Sequence, residues 1–108
     1  MFTFSATVVR VVDGDTMDLL FDLGFRIQRL ERVRLADVNT PEVRGADKAR
    51  GKLAKARVQA LCPVGSVVKV QTGKAGKFNR YVAHVQVDGV GDLGELLVAE
   101  GHAALYGS

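Results

Sequence analysis

Val11-Val12-Asp13-Gly14-Asp15-Thr16-Met17-Asp18-Leu19 reads as strand, turn and strand in succession. The β-branched run stops at Asp13, and Asp-Gly-Asp supplies the turn chemistry. From Thr16 the apolar residues Met17, Leu19 and Phe21 alternate with Asp18, Leu20 and Asp22, the period of a strand with one face buried. The upstream arm extends back to Phe2 as one strand, Phe2 to Val12, in which Arg10 is the only charge. The downstream arm ends at Asp22, where Leu23-Gly24 can turn the chain back. Phe25 to Val38 is then a third strand, with Ile27, Leu30, Val33, Leu35 and Val38 among charged residues. Its alternation slips between Leu30 and Arg32, which predicts a bulge there. Three antiparallel strands meander from the N-terminus.

Pro41 stops the meander. Ala46 to Leu61 is rich in Ala, Lys, Arg and Leu and reads as a helix, with Leu53, Ala56, Ala60 and Leu61 predicted as its inward stripe. Gly51 interrupts it, and Pro63-Val64-Gly65 closes it. Val67 to Thr72 is a fourth strand, Gly73 to Asn79 a loop, and Arg80 to Val87 a fifth strand ending at the Asp88-Gly89 turn. Asp92 followed by Glu95 fits an N-cap with its capping-box partner. A short helix, Leu93 to Glu100, follows with Leu96, Leu97 and Ala99 predicted inward, and Gly101 stops it. Five strands with a helix between the third and fourth is the element order of a small Greek-key barrel of the OB type, an α+β chain that offers one face and two loops to oligonucleotides or oligosaccharides.

The 108 residues fit a single domain, 1–108, large enough to bury roughly two-thirds of its unfolded surface. Hydrophobic content of 47% and charged content of 25% are those of globular domains and argue against disorder. The formal charge of +3 suits an anionic partner without demanding one. A single cysteine, Cys62, allows no internal disulfide, and it reads as a small buried hydrophobe. No apolar run reaches the roughly 20 residues of a membrane span, and Met1 to Val12 lacks the layout of a signal peptide. A cytoplasmic monomer is the expectation.

The chemistry gathers at two strand ends. One is Asp13-Gly14-Asp15-Thr16. The other is Arg34-Leu35-Ala36-Asp37-Val38-Asn39-Thr40-Pro41-Glu42. In a meander these ends are neighbours, so Asp15 and Asn39 can converge. Oxygen donors of this kind suit Ca²⁺ or Mg²⁺, not zinc. His84 and His102 stand alone in sequence and read as surface or packing residues. Asp37 shares strand parity with Asn39, which would put it on the same side as a further donor.

Four segments resemble the staphylococcal (micrococcal) nuclease family. They are Val11 to Thr16, then Val33-Arg34-Leu35 running into Asn39-Thr40-Pro41-Glu42, then Gly76-Lys77-Phe78-Asn79-Arg80-Tyr81-Val82-Ala83, and finally Gly94 to Gly101 followed by Ala103. They occur in order and span nearly the whole chain. The resemblance implies an OB-fold nuclease that hydrolyses DNA, with RNA open as a second substrate, at low sequence specificity. It also implies Ca²⁺ as cofactor, held by Asp15, Asn39 and the Thr40 carbonyl. Arg34 and Arg80 would grip the scissile phosphate, and Glu42 would activate or orient the attacking water. Lys52, Lys55, Lys77 and Tyr81 are the expected nucleic-acid contacts. For the lysines of the helix, a phosphate track and an ordinary solvated face are both open readings.

One departure stands out. The family usually has a second ligating aspartate where this chain has Asn39. An amide oxygen can ligate Ca²⁺ but brings no charge, and affinity depends on the charge count. The alternative to an enzyme is therefore a catalytically weak or inactive nucleic-acid-binding OB module.

Overall fold

The computed structural model describes residues 2–72 and 81–105. In chain order the elements are β1 (Phe2–Asp13), β2 (Thr16–Asp22), β3 (Gln28–Leu35), β4 (Val38–Asn39), α1 (Lys48–Leu61), β5 (Val67–Thr72), β6 (Tyr81–Val87), β7 (Gly91–Asp92), α2 (Leu93–Ala99) and β8 (Ala104–Leu105). The main sheet runs β3-β2-β1-β5-β6. It closes because β6 returns parallel to β3, pairing Val33 with Tyr81, Arg34 with Val82 and Leu35 with Ala83. Closure removes both edges of the five-stranded sheet, which would otherwise template pairing with other chains. The result is the expected barrel with two helices.

Alternate residues of each strand fill the interior: Met17, Leu19 and Phe21 from β2, Val33 and Leu35 from β3, Val68 and Val70 from β5, Ala83 and Val85 from β6. β1 departs from this period, with Val8 and Val11 both buried. The cause is a register shift between Val8 and Arg10, with a second between Val11 and Asp13. Each adds a residue to β1 opposite β2 and bends the strand as the barrel curls. The bulge expected at Leu30 to Arg32 is not there: β2 and β3 pair without a shift from Thr16↔Arg34 to Asp22↔Gln28. The irregular pattern there has another cause, because β3 from Gln28 to Leu30 is open to water on both faces.

The third strand is also shorter than its pattern. Gly24, Phe25 and Arg26 all have positive φ, so a left-handed turn replaces its first residues. Its far end stops at Leu35, because Asp37 (φ 64) turns the chain before Val38 and Asn39 pair with Leu105 and Ala104.

The helix faces differ from the predicted ones for a steric reason. α1 buries Gly51, Ala54 and Val58, whereas Leu53 is 63% exposed. The helix lies so close to the neighbouring backbone that only small residues fit. A Cβ on Gly51 would stand 2.5 Å from the Glu42 carbonyl oxygen, and one on Gly14 would stand 2.8 Å from Ala54 Cβ. α2 is capped as its sequence predicts, with Asp92 Oδ1 accepting from the Glu95 N–H at 3.0 Å. It buries Leu93, Gly94 and Leu97, while Leu96 is half-buried and Ala99 exposed.

Candidate active site

The two strand ends meet, and the backbone of one satisfies the carboxylates of the other. The Leu35 N–H donates to the Asp15 carbonyl at 2.8 Å, fastening the end of β3 to the β1–β2 turn. Asp15 is 7% exposed. Its Oδ2 accepts from the Thr40 N–H at 3.1 Å, and its Oδ1 accepts from the Thr16 hydroxyl at 2.9 Å. Asp13 Oδ1 accepts from the Val43 N–H at 3.2 Å. Both carboxylate oxygens of Asp15 thus have a hydrogen-bond donor despite their burial.

Arg34 completes the cluster. Its Nη2 donates to Asn39 Oδ1 at 2.8 Å and lies 3.6 Å from Asp15 Oδ2. The structure thus brings Asp15, Arg34, Asn39 and Thr40 into one group. Thr40 is buried, and its Oγ1 has no hydrogen-bond partner among the described residues. Glu42 follows Pro41 at the rim, exposed, with its carbonyl accepting from the Gly45 N–H at 3.2 Å. Two glycines set this geometry from behind. Gly51 lets α1 press on the Pro41–Glu42 backbone, and Gly14 lets Ala54 and Thr40 close on the turn.

The model of the staphylococcal nuclease homologue family matches residues 32–108. The chain belongs to this family. No curated protein matches it. The family match covers Arg34, Asn39, Thr40, Glu42 and Arg80 but begins after Asp15. Asp15 joins the family's segment through its contacts with Thr40 and Arg34.

Other expected site residues fall elsewhere. Lys77 and Arg80 lie outside the described residues, as does the Tyr81 side chain. Lys52 is exposed on α1 and Lys55 half-buried one turn on. Two further cations of the helix are engaged: Arg50 with Asp47 at 3.1 Å, and Arg57 with both oxygens of Glu100 at 2.7 and 2.9 Å.

Asp37 does not serve as a donor beside Asn39. Its positive φ breaks strand parity, and its carboxylate faces His84 Nε2 at 3.5 Å. The other ring nitrogen of His84 lies 3.2 Å from Asp92 Oδ2. This Asp–His–Asp bracket was not visible in the sequence, because it depends on the turn at Asp37 and on β7 folding back along β6.

Among the described residues no three His, Cys, Asp or Glu side chains gather as a metal cluster. A cation here would rely on one carboxylate, Asp15, with the Asn39 amide and Thr40 carbonyl oxygens. That donor set is all oxygen and fits a hard divalent ion with water or substrate oxygens completing its shell. No helix among the described residues is long and apolar enough to cross a membrane.

Proposed function

We propose that the chain is a calcium-dependent phosphodiesterase of the micrococcal nuclease type, cleaving DNA, and RNA as a second polymer, with little sequence preference. The observation that carries this reading is the Arg34 guanidinium, 2.8 Å from Asn39 Oδ1 and 3.6 Å from Asp15 Oδ2. A phosphate-gripping cation and a nest of oxygen donors share one spot. Phosphodiester cleavage needs that pairing, because the anion repels nucleophiles until its charge is neutralised.

On this reading Arg34 and Arg80 bind the non-bridging oxygens of the scissile phosphate. The planar guanidinium can bond two oxygens at once. Arg80 immediately precedes Tyr81, whose backbone pairs with Val33 beside Arg34. Glu42, exposed at the rim, accepts a proton from the attacking water or orients it, a role worth typically 10²–10⁴-fold. Asp15, Asn39 and the Thr40 carbonyl would hold Ca²⁺, which when bound supplies Lewis-acid stabilisation of phosphate charge. Asp13 positions the loop after Thr40 through its bond to the Val43 N–H.

A catalytically weak nucleic-acid-binding module is the second reading. It is favoured by Asn39, whose uncharged oxygen already accepts from Arg34. One assay separates the two. The purified chain is incubated with single-stranded DNA, with Ca²⁺ or with chelator, beside a Glu42→Gln variant. Metal-dependent cleavage lost in the variant is the expected result. Binding without cleavage under any divalent ion would leave the binder.

A further inference from the structure

A second basic feature lies outside the cluster just described. The ladder of β1 with β5 ends at Thr7↔Val67, and Val8 bonds the Gly65–Ser66 backbone just beyond it. Beyond that point α1 lies beside β1, and a groove of about 270 Å³ opens between them. Arg10 reaches it from the strand, and Lys55 and Gln59 from successive turns of the helix. Val9 and Val64 supply apolar walls, both of them exposed. The register shift between Val8 and Arg10 creates this lining, since it sends both Val9 and Arg10 outward.

The charge in the groove is one-sided. No carboxylate among the described residues lines it. Arg10 sits opposite Asp18 in the β1–β2 register, but Asp18 gives both its oxygens to Arg32, at 2.8 and 3.3 Å. Neither the Arg10 nor the Lys55 side chain makes a hydrogen bond or ion pair with another described residue. Two like charges in one concavity repel each other, and an anion between them removes the repulsion. Lys55 also continues a stripe, Lys48, Lys52 and Lys55, at the i, i+4, i+7 spacing of one helix face. That stripe begins beside Gly51, where α1 meets the Glu42 backbone. It spans about 10 Å.

We propose that this groove is a subsite for a flanking nucleotide of a single-stranded nucleic acid. Arg10 and Lys55 hold its phosphate, Gln59 bonds the base edge, and Val9 and Val64 cover the apolar face of the base or sugar. The volume is below that of ordinary pockets for whole ligands and suits one nucleotide of a longer strand. The proposal rests on the nucleic-acid reading above and adds a second point of attachment to it.

The test uses fluorescence anisotropy of a labelled single-stranded oligonucleotide of about 12 nucleotides, titrated at several salt concentrations in the presence of chelator. Binding under chelator does not require cleavage, so loss of catalysis alone leaves the test intact. For single strands each neutralised phosphate contributes roughly 0.7 to the slope of log K against log salt. Arg10→Ala and Lys55→Ala should each flatten the slope by about that amount, and at about 50 mM salt each should weaken binding about eightfold. Lys55→Arg should keep the slope. Lys69→Ala, on the exposed face of β5, should move it much less. Equal effects at Lys69, or no change at Arg10 and Lys55 while the wild type binds, would overturn the subsite and spare the nuclease reading. A wild type that binds no oligonucleotide would overturn both.

Discussion

Gly51→Ala is the sharpest perturbation of the geometry behind the site. In an exposed helix interior this change stabilises by about 1 kcal/mol, since alanine is the better helix former. Here the new methyl would lie 2.5 Å from the Glu42 carbonyl oxygen, 2.7 Å from its carbon and 2.8 Å from the Pro41 oxygen. These are backbone atoms and cannot rotate away. Reaching a tolerable 3.0 to 3.4 Å requires α1 or the Pro41–Glu42 segment to move by roughly half to nine-tenths of an ångström. Overpacking of this kind costs about 1–3 kcal/mol. Set against the propensity gain of about 1 kcal/mol, this leaves a net loss of up to about 2 kcal/mol in urea unfolding. The shift falls on Glu42, so under the proposed nuclease function kcat for DNA cleavage should fall by up to about 10²-fold, as misplacements near 1 Å do. Gly45→Ala is the contrast, because its Cβ would sit 3.4 Å from Glu42 Cβ, an ordinary contact. A Gly51→Ala protein that is more stable than wild type, with kcat intact, would show that the helix does not position Glu42.

Three other expectations follow from single contacts. Thr40→Val replaces a buried, unpartnered hydroxyl by a methyl of similar size, so the unfolding free energy from urea titration should rise by on the order of 1 kcal/mol; a lower value would mean that the hydroxyl has a partner in solution. The hydrogen bonds from Arg57 hold the Glu100 carboxyl below its usual range. A lowered carboxylate pKa in the folded state stabilises fully above the unfolded value, about 4.3, and that stability fades as pH falls through the folded value. The Tm difference between wild type and Glu100→Gln should therefore be largest near neutral pH and close in acid; a difference constant with pH would reject the ion pair as its source. Burial pushes the Cys62 thiol up to about 11, so a thiol reagent at neutral pH should label it only as fast as the chain unfolds. Immediate labelling of the native protein would contradict its burial.

Much of the barrel was legible because its signals are local. The period of two in Thr16 to Asp22, the Asp-Gly-Asp turn, and Asp92 with Glu95 at the head of α2 each specify structure within a few residues. Asp15, Arg34, Asn39 and Thr40, which the structure brings together, were named through the order of their motifs, which does not depend on distance. Helix faces were less so. Large apolar residues ordinarily mark the buried side, but α1 turns Leu53 outward because Gly14 and Gly51 bring the backbone too close for anything larger than alanine or valine. Asp37 misled for a related reason: parity assumes an extended chain, and its φ of 64 is not extended.

By itself the sequence determined the order of the five barrel strands and two helices, the barrel class, the family's motifs and the amide at position 39. Tertiary structure decided which of these residues meet. The parallel contact of β6 with β3 joins segments nearly fifty residues apart, and no local pattern encodes it. The same closure and the two glycine contacts put Thr40 against Asp15, and Arg34 between Asp15 and Asn39. Arg32 takes Asp18, and the fold places Arg10 and Lys55 along one groove. Charge and spacing are properties of the chain, but a contact energy falls off within a few ångströms. Only the folded distances select which charges pair and which stay available for a ligand.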